Sequence, residues 1–319
     1  MTDPADLQRA VRTVVERCLA LRAGEHALVV ADPDRLDVGY ALLDAAREAG
    51  ADAVLTVLPP NPARGTEPPP PVAAAFAACD AYLAPCLPSL SHTVARKRAT
   101  DNGARGATLP GVTGDLLARL MSVDFDAMAR RCRAVANLLT QADEAHLTCP
   151  RGTDLRLDLT GRTAIADDGD LTARAAFGNL PCGEGFIAPL AGEGVIKASS
   201  LPFTGISDPP VTLTVEDGNL ADATGGADDA ADQYLRALDA HGTLGRNLAE
   251  LGVGTNDRAT LTGNVLEDEK ILGTAHIAFG ASAAIGGTVA VPVHLDVVVL
   301  DATLTVGGTT VVDAGRFAL

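Results

Sequence analysis

Over the first 110 residues the chain alternates between two hydrophobic periods, and this alternation constrains its fold more than any other feature. Leu7, Val11, Val14, Val15, Cys18 and Leu21 recur near helical spacing across residues 4–22. Gly24 stops that pattern, and the short apolar run His26 to Ala31 reads as a buried strand. Leu36 to Ala49 is helical again and ends at Gly50. Asp52 to Leu58 reads as a second strand, followed by a proline-rich loop through Pro59, Pro60, Pro62 and the run Pro68 to Pro71. A short Ala-rich helix, a strand at Ala81 to Pro85, a helix around Ser91 to Thr100 and a strand near Gly106 to Leu109 continue the alternation. Strands separated by helices predict a parallel sheet with covering helices.

Asp124 to Ala142 reads as a further helix, placed as a connector, and after it the pattern changes. A hairpin is predicted from Ala145–Cys149 and Asp154–Leu159, turning at Pro150–Thr153. More strands are expected at Gly194–Ser199, Val211–Val215 and Ala290–Leu300, and a last pair, Asp301–Val306 and Thr309–Val312, turns at Gly307-Gly308. The one clear long helix lies near Ala227–His241. The expectation is an α/β domain over 1–143 and a β-rich α+β domain over 144–319, with no internal repeat. A chain of 319 residues has the length for two such domains.

Formal net charge is −16, which argues against a nucleic-acid backbone or an anionic membrane as partner, since both repel an acidic surface. Six cysteines, at 18, 79, 86, 132, 149 and 182, show no CxxC and read as reduced thiols. The N-terminus lacks a basic segment followed by an apolar one, and no apolar run has the length of a membrane span. A cytoplasmic protein is the expectation.

His294 and Asp296 stand two residues apart in the apolar run Val291–Leu300, so on a strand they project from one face. Burying an imidazole and a carboxylate there is costly without compensation. A divalent metal compensates, because His plus carboxylate is a common ligand pair. For an isolated pair, a structural His–Asp hydrogen bond is the alternative.

Further segments of the same half each set a candidate ligand among glycines or apolar residues. Asn179–Pro189 carries Glu184, Asn247–Asn256 carries Glu250 just before a glycine-rich stretch taken as a loop, and Leu266–Gly280 carries His276. Gly286-Gly287 precedes the His294/Asp296 pair. Two glutamates, an aspartate and two histidines suffice for two divalent ions sharing a bridging carboxylate.

The strings NLPCGEGFIAP, LAELGVGTN, EDEKILGTAHIAFG and GG…HLD resemble the metal-ligand motifs of the thermophilic aminopeptidase T family of metallopeptidases, in its shorter branch. LSHTVARKRA from Leu90, GATLPGVTGD from Gly106 and CPRGTDL from Cys149 are also similar to that family, so the resemblance spans nearly the whole chain. It implies an α/β domain followed by a catalytic domain, a homodimer, and a two-metal site (Zn, Co, Mn or Fe). Glu184, Glu250 and His276 would serve one ion, and Glu250, His294 and Asp296 the other. Glu250 and Glu184 would be the catalytic carboxylates. The implied reaction is attack of an activated water on the N-terminal amide bond of a small-molecule or short-peptide substrate.

Two departures stand out. The family's peptidases carry a Tyr a few residues after the histidine matching His276, whereas Ala283 lies near that place here. Losing a phenol that stabilises a developing oxyanion weakens the case for peptidase activity. The same superfamily also resembles iron-dependent 2,5-dihydroxypyridine ring-cleaving dioxygenases, which keep GG…HLD, use one iron with two His and one carboxylate, and have His in the place of Glu250. A single-iron oxygenase is therefore one alternative, and a metal- or substrate-binding protein without catalysis is another. Among other residues, Glu267 and Glu269 read as solvated helix-face acids, either of which could shuttle a proton. His92 reads as a capping or packing residue within reach of a cleft, and His146 and His241 as surface residues. Lys197 is a candidate anchor for a substrate carboxylate, Cys182 a packing residue, and Gly185, Gly252 and Gly254 points of close approach to metal or substrate.

Overall fold

The structure, a computed structural model, describes residues 3–60, 66–87 and 89–319. Pro62 of the expected proline-rich loop, and Met1 and Thr2, lie outside the described residues. The chain forms two units: residues 1–123 with 169–182, and residues 124–168 with 183–319. The division thus falls some way before the boundary expected near residue 143. The reason lies in the helix Phe125–Gln141, whose buried Val135 and Leu139 belong to the hydrophobic core of the second unit. Cys132 and Val135 press on Gly185 so closely that a Cβ there would lie 2.8 Å from Val135.

In the first unit the expected alternation produces a parallel sheet in the order Asp52–Val57, His26–Ala31, Ala81–Ala84, Arg105–Thr108 and Phe177–Asn179. Leu28, Val30, Phe76 and Tyr82 are buried on it, with the Phe76 and Tyr82 rings edge to face at 5.3 Å. The fifth strand, three residues long, comes from the returning segment 169–182 and carries no hydrophobic period that reading the sequence could detect. The predicted first helix runs Pro4–Arg12 and continues through Thr13–Cys18 in a wider π-type turn, ending before residue 22. The helix expected from Ser91 begins at Val94, where the Thr93 hydroxyl accepts from the Arg96 amide.

The second unit is built on a thirteen-stranded antiparallel sheet among the described residues. Its main path starts at Arg316–Phe317 and passes through Thr309–Asp313, Thr303–Val306, Glu144–Thr148 and Asp154–Asp158 to Ala191–Leu201. It continues through His294–Val299, Ala275–Gly280, Leu248–Gly254 and Glu184–Ile187 to Ile165–Asp167. Gly205–Glu216 and Asn219–Gly225 branch from Ala191–Leu201. Both predicted hairpins form, the second turning at Gly307 and Gly308 with φ of 53° and 81°, as a tight two-residue turn requires. The predicted strand over residues 290–300 starts only at His294, because Pro292 has no amide to give to a ladder.

One helix locks the sheet at its centre. Ala230–Asp239 buries Tyr234, whose hydroxyl donates to the Leu295 carbonyl at 2.8 Å and whose ring meets Phe279 edge to face. Tyr234→Phe leaves that buried carbonyl without its donor and should lower unfolding free energy by about 1–2 kcal/mol. Urea denaturation checks this, and an unchanged midpoint would contradict it.

Candidate metal centre

Four adjacent strands carry the five predicted ligands, and their register brings these together. Glu184 lies opposite Gly254, Gly252 opposite His276, Glu250 opposite Ala278, Ala278 opposite Asp296, and Gly280 opposite His294. One face of this part of the sheet therefore alternates the candidate ligands with glycine and alanine. The glycines after Glu250, expected in a loop, belong to strand Leu248–Gly254. An irregularity between Leu248 and Glu250 shifts the register by one residue, so Leu248 stays in the core while Glu250, two residues later, faces the ligands.

The glycines have specific reasons. A Cβ on Gly252 would lie 1.9 Å from His276 Nε2, and one on Gly254 would lie 2.1 Å from the Ile271 carbonyl oxygen. Gly252 thus makes room for an imidazole and Gly254 for the loop that follows Glu269, whereas Gly185 makes room for the helix Phe125–Gln141. Gly280, at φ 114°, has Val293 O in the place of a side chain. Gly287 has the Ser282 hydroxyl there, and that hydroxyl accepts from the Val289 amide in the turn leading to His294.

The side chains form two trios, Glu184–Glu250–His276 and Glu250–His294–Asp296, with ligand atoms within 4.8 Å of one another in each. Glu250 belongs to both. Its Oε1 lies 3.2 Å from His276 Nε2, and its Oε2 lies 3.4 Å from His294 Nε2. His276 Nε2 is also 3.2 Å from Glu184 Oε2, and His294 Nε2 is 3.4 Å from Asp296 Oδ1. His294 Nδ1 donates to the Ala281 carbonyl at 2.7 Å, which turns Nε2 toward the carboxylates. Side-chain exposure rises from 0% at His276 and 7% at Glu184 and Glu250 to 14% at His294 and 20% at Asp296. The cluster thus meets solvent on its His294/Asp296 side.

The electrostatics call for positive charge. Burial disfavours charge on both imidazoles, yet the surrounding carboxylates hold His276 and His294 well above the ordinary histidine range. Burial raises Glu184 and Glu250 as well, but Lys270 and His276 overcome it at Glu184, and the two histidines overcome it at Glu250, leaving both carboxyls below their usual value. Glu184 Oε2 is buried without a hydrogen-bond donor. Acceptors gathered around imidazole nitrogens, one of them orphaned, fit a divalent cation in each trio.

Two titratable residues at the centre escaped the sequence reading. Lys270 is fully buried, and its Nζ donates to Glu184 Oε1 at 2.5 Å and to Glu269 Oε1 at 2.7 Å. Asp167 pairs with Glu184 across the neighbouring strands and keeps one buried oxygen unpartnered, with burial raising its pKa well above the carboxylate range. The available signal was Lys270 itself, a lysine beside a glutamate in an otherwise apolar approach to His276.

Other expectations change. Glu267 and Glu269 are buried, at 1% and 6% exposure, rather than solvated. Glu267 accepts from the amide and hydroxyl of Thr260 and so braces a loop, while burial pushes Glu269 up to about 8. Lys197 donates to Thr212, and His146 is half-buried against Asp154. Cys182 is buried, and His92 is exposed in the first unit. Ala283 is exposed in a short 3-10 turn. Tyr234, the single tyrosine of the second unit, is committed to Leu295, so no phenol there replaces the missing one.

Fold and cluster together define a metalloenzyme scaffold. Residues 6–319 match the family model of the 2,5-dihydroxypyridine 5,6-dioxygenases, and the chain belongs to that family. Among solved structures it is similar to 2,5-dihydroxypyridine dioxygenase from Pseudomonas putida KT2440, with a TM-score of 0.81 and 20% identity over 100% of this chain and 98% of that one. It is also similar to wild-type AmpT from Thermus thermophilus, with a TM-score of 0.71 and 19% identity over 99% of each chain. No curated protein matches. Both relationships suggested by the motifs are therefore found, with the family match on the dioxygenase side. Among the described residues no helix is long and apolar enough to cross a membrane.

Proposed function

We propose that the protein is a metallohydrolase with a dinuclear centre, acting on an amide bond of a small molecule or short peptide. The observation that carries this reading is Glu250, which turns one carboxylate oxygen toward each histidine and so belongs to both trios. Glu184 and His276 would complete one cation site, His294 and Asp296 the other. Divalent ions held there supply Lewis-acid polarisation of a carbonyl and a water of lowered pKa. The chain's own contribution is orientation. The Ala281 carbonyl holds the His294 ring, the Gly252 gap seats the His276 ring, and the solvent-facing His294/Asp296 side admits substrate. The absence of a phenol near Ala283 favours a substrate less demanding than an ordinary peptide bond.

Family membership favours a second reading, a mononuclear iron oxygenase acting on a small aromatic ring. Two histidines and Asp296 offer the corresponding ligand set, although Glu250 stands where the dioxygenase motif has histidine. Metal analysis of the purified protein, together with turnover of aminoacyl-amides and of dihydroxypyridines, separates the readings. Two equivalents of Zn, Co or Mn with amide turnover are expected. One iron with ring cleavage would establish the oxygenase instead, and ligand binding without turnover of either class would leave a binding protein.

A further inference from the structure

Lys270 is an unusual neighbour for a cation site. Its ammonium is fully buried and bonded to Glu184, a member of one trio. The fold holds it there firmly. The Lys270 amide donates to the Glu267 carbonyl, its own carbonyl accepts from the Asn256 amide, and Leu272 N bonds to Asn256 O. Gly254, directly across from Glu184, gives the Glu269–Ile271 backbone room to pass, since a Cβ there would lie 2.7 Å from the Glu269 carbonyl oxygen. The lysine is thus delivered to Glu184 by a backbone path that a side chain at position 254 would block.

The two trios therefore differ. In the first, Glu184 Oε1 is occupied by an ammonium, and only Oε2, on the His276 side, is free for a cation. In the second, His294 and Asp296 stand on the solvent-facing side, and the ion pairs of Lys270 run to Glu184 and Glu269 instead. Like charges in a buried site repel strongly because little water screens them.

We propose that Lys270 makes the two halves of the centre unequal, weakening the cation site at Glu184, Glu250 and His276 so that the site at Glu250, His294 and Asp296 fills first. This makes Lys270 a positioning residue that governs whether the protein holds one ion or two. The proposal rests on the metal-centre reading above, but not on which reaction the centre performs.

The test is calorimetric titration of chelator-stripped protein with Zn²⁺ alone, for wild type, Lys270→Met and Lys270→Gln, with Asp296→Asn to identify the tighter step. Wild type should show a tight step and a weaker one, and Asp296→Asn should remove the tight one. Lys270→Met and Lys270→Gln should strengthen the weak step by roughly tenfold or more while leaving the tight step within about twofold, as removal of one buried like charge predicts. A merely structural role for the lysine would weaken both steps and cannot produce a selective gain. If wild type binds one ion and the variants two, Lys270 acts as proposed and the dinuclear reading of the native protein fails. If wild type binds two and neither variant gains affinity, the dinuclear reading stands and the role of Lys270 is overturned. One ion in all proteins overturns both. Should the Met variant fail to fold, the Gln variant carries the comparison, and equal affinities in the wild-type isotherm would overturn the proposal without any variant.

Discussion

Glu250→Ala will empty the centre and lower turnover by a thousandfold or more, on the order of the loss seen when a group acting directly on the reacting atoms is removed. The side chain is 7% exposed, and Glu250 is the single residue common to both trios. Without it, each remaining pair must hold a divalent ion with two protein ligands, and His276 and His294 both lose a carboxylate partner. Glu250→Gln should be milder in metal binding, because one oxygen remains to face one histidine. Metal content by mass spectrometry, measured beside turnover, checks both variants. A Glu250→Ala protein that retained full metal content would show that Glu250 is not shared.

The second large effect comes from a residue with no side chain. Gly252→Ala places a methyl carbon 1.9 Å from His276 Nε2, and no rotation of the new group relieves the overlap. Either the ring leaves its position or the two strands separate, and both disturb a ladder of fully buried residues. The expected cost is about 2–3 kcal/mol of stability, typical of forced overpacking. Metal at the Glu184–Glu250–His276 trio should be lost with it. Thermal melting with and without added Zn²⁺ measures the two effects separately. Full stability together with full metal content would mean that the imidazole does not occupy this gap.

Much of this was legible in the sequence. The parallel sheet followed from the alternating periods before residue 110, and all five clustered side chains stood out because each interrupts an apolar or glycine-rich run. What stayed hidden had physical causes. The Leu248–Gly254 strand was concealed by its glycines, which signal a loop by composition but here clear space for the His276 ring and the Lys270 backbone. Glu267 and Glu269 looked solvated because a run of acids is usually exposed; here Thr260 and Lys270 satisfy them in the interior. The register shift that aims Glu250 has no sequence signature of its own.

The proposed dinuclear centre and the family match bear on the reaction differently. Family membership is on the dioxygenase side, while the sharing of Glu250 between two trios carries the dinuclear proposal. On the proposals above, one carboxylate and one ammonium bear on the chemistry from opposite directions, Glu250 by offering an oxygen to each trio and Lys270 by placing positive charge on Glu184.

The path of the chain through its two units has a further consequence. The outermost strand of the parallel sheet, Phe177–Asn179, is encoded after the helix and first strands of the second unit, and Glu184 follows within a few residues. A fragment ending at residue 123 would leave Arg105–Thr108 as a raw edge with open backbone donors and acceptors, the kind of edge that recruits other chains. A fragment starting at 124 would carry a stray strand that has lost its sheet. The units are not interchangeable cassettes. Recombination between distant members of this scaffold would have to exchange two separated stretches at once, which ties the inheritance of the first unit to that of the segment leading into Glu184.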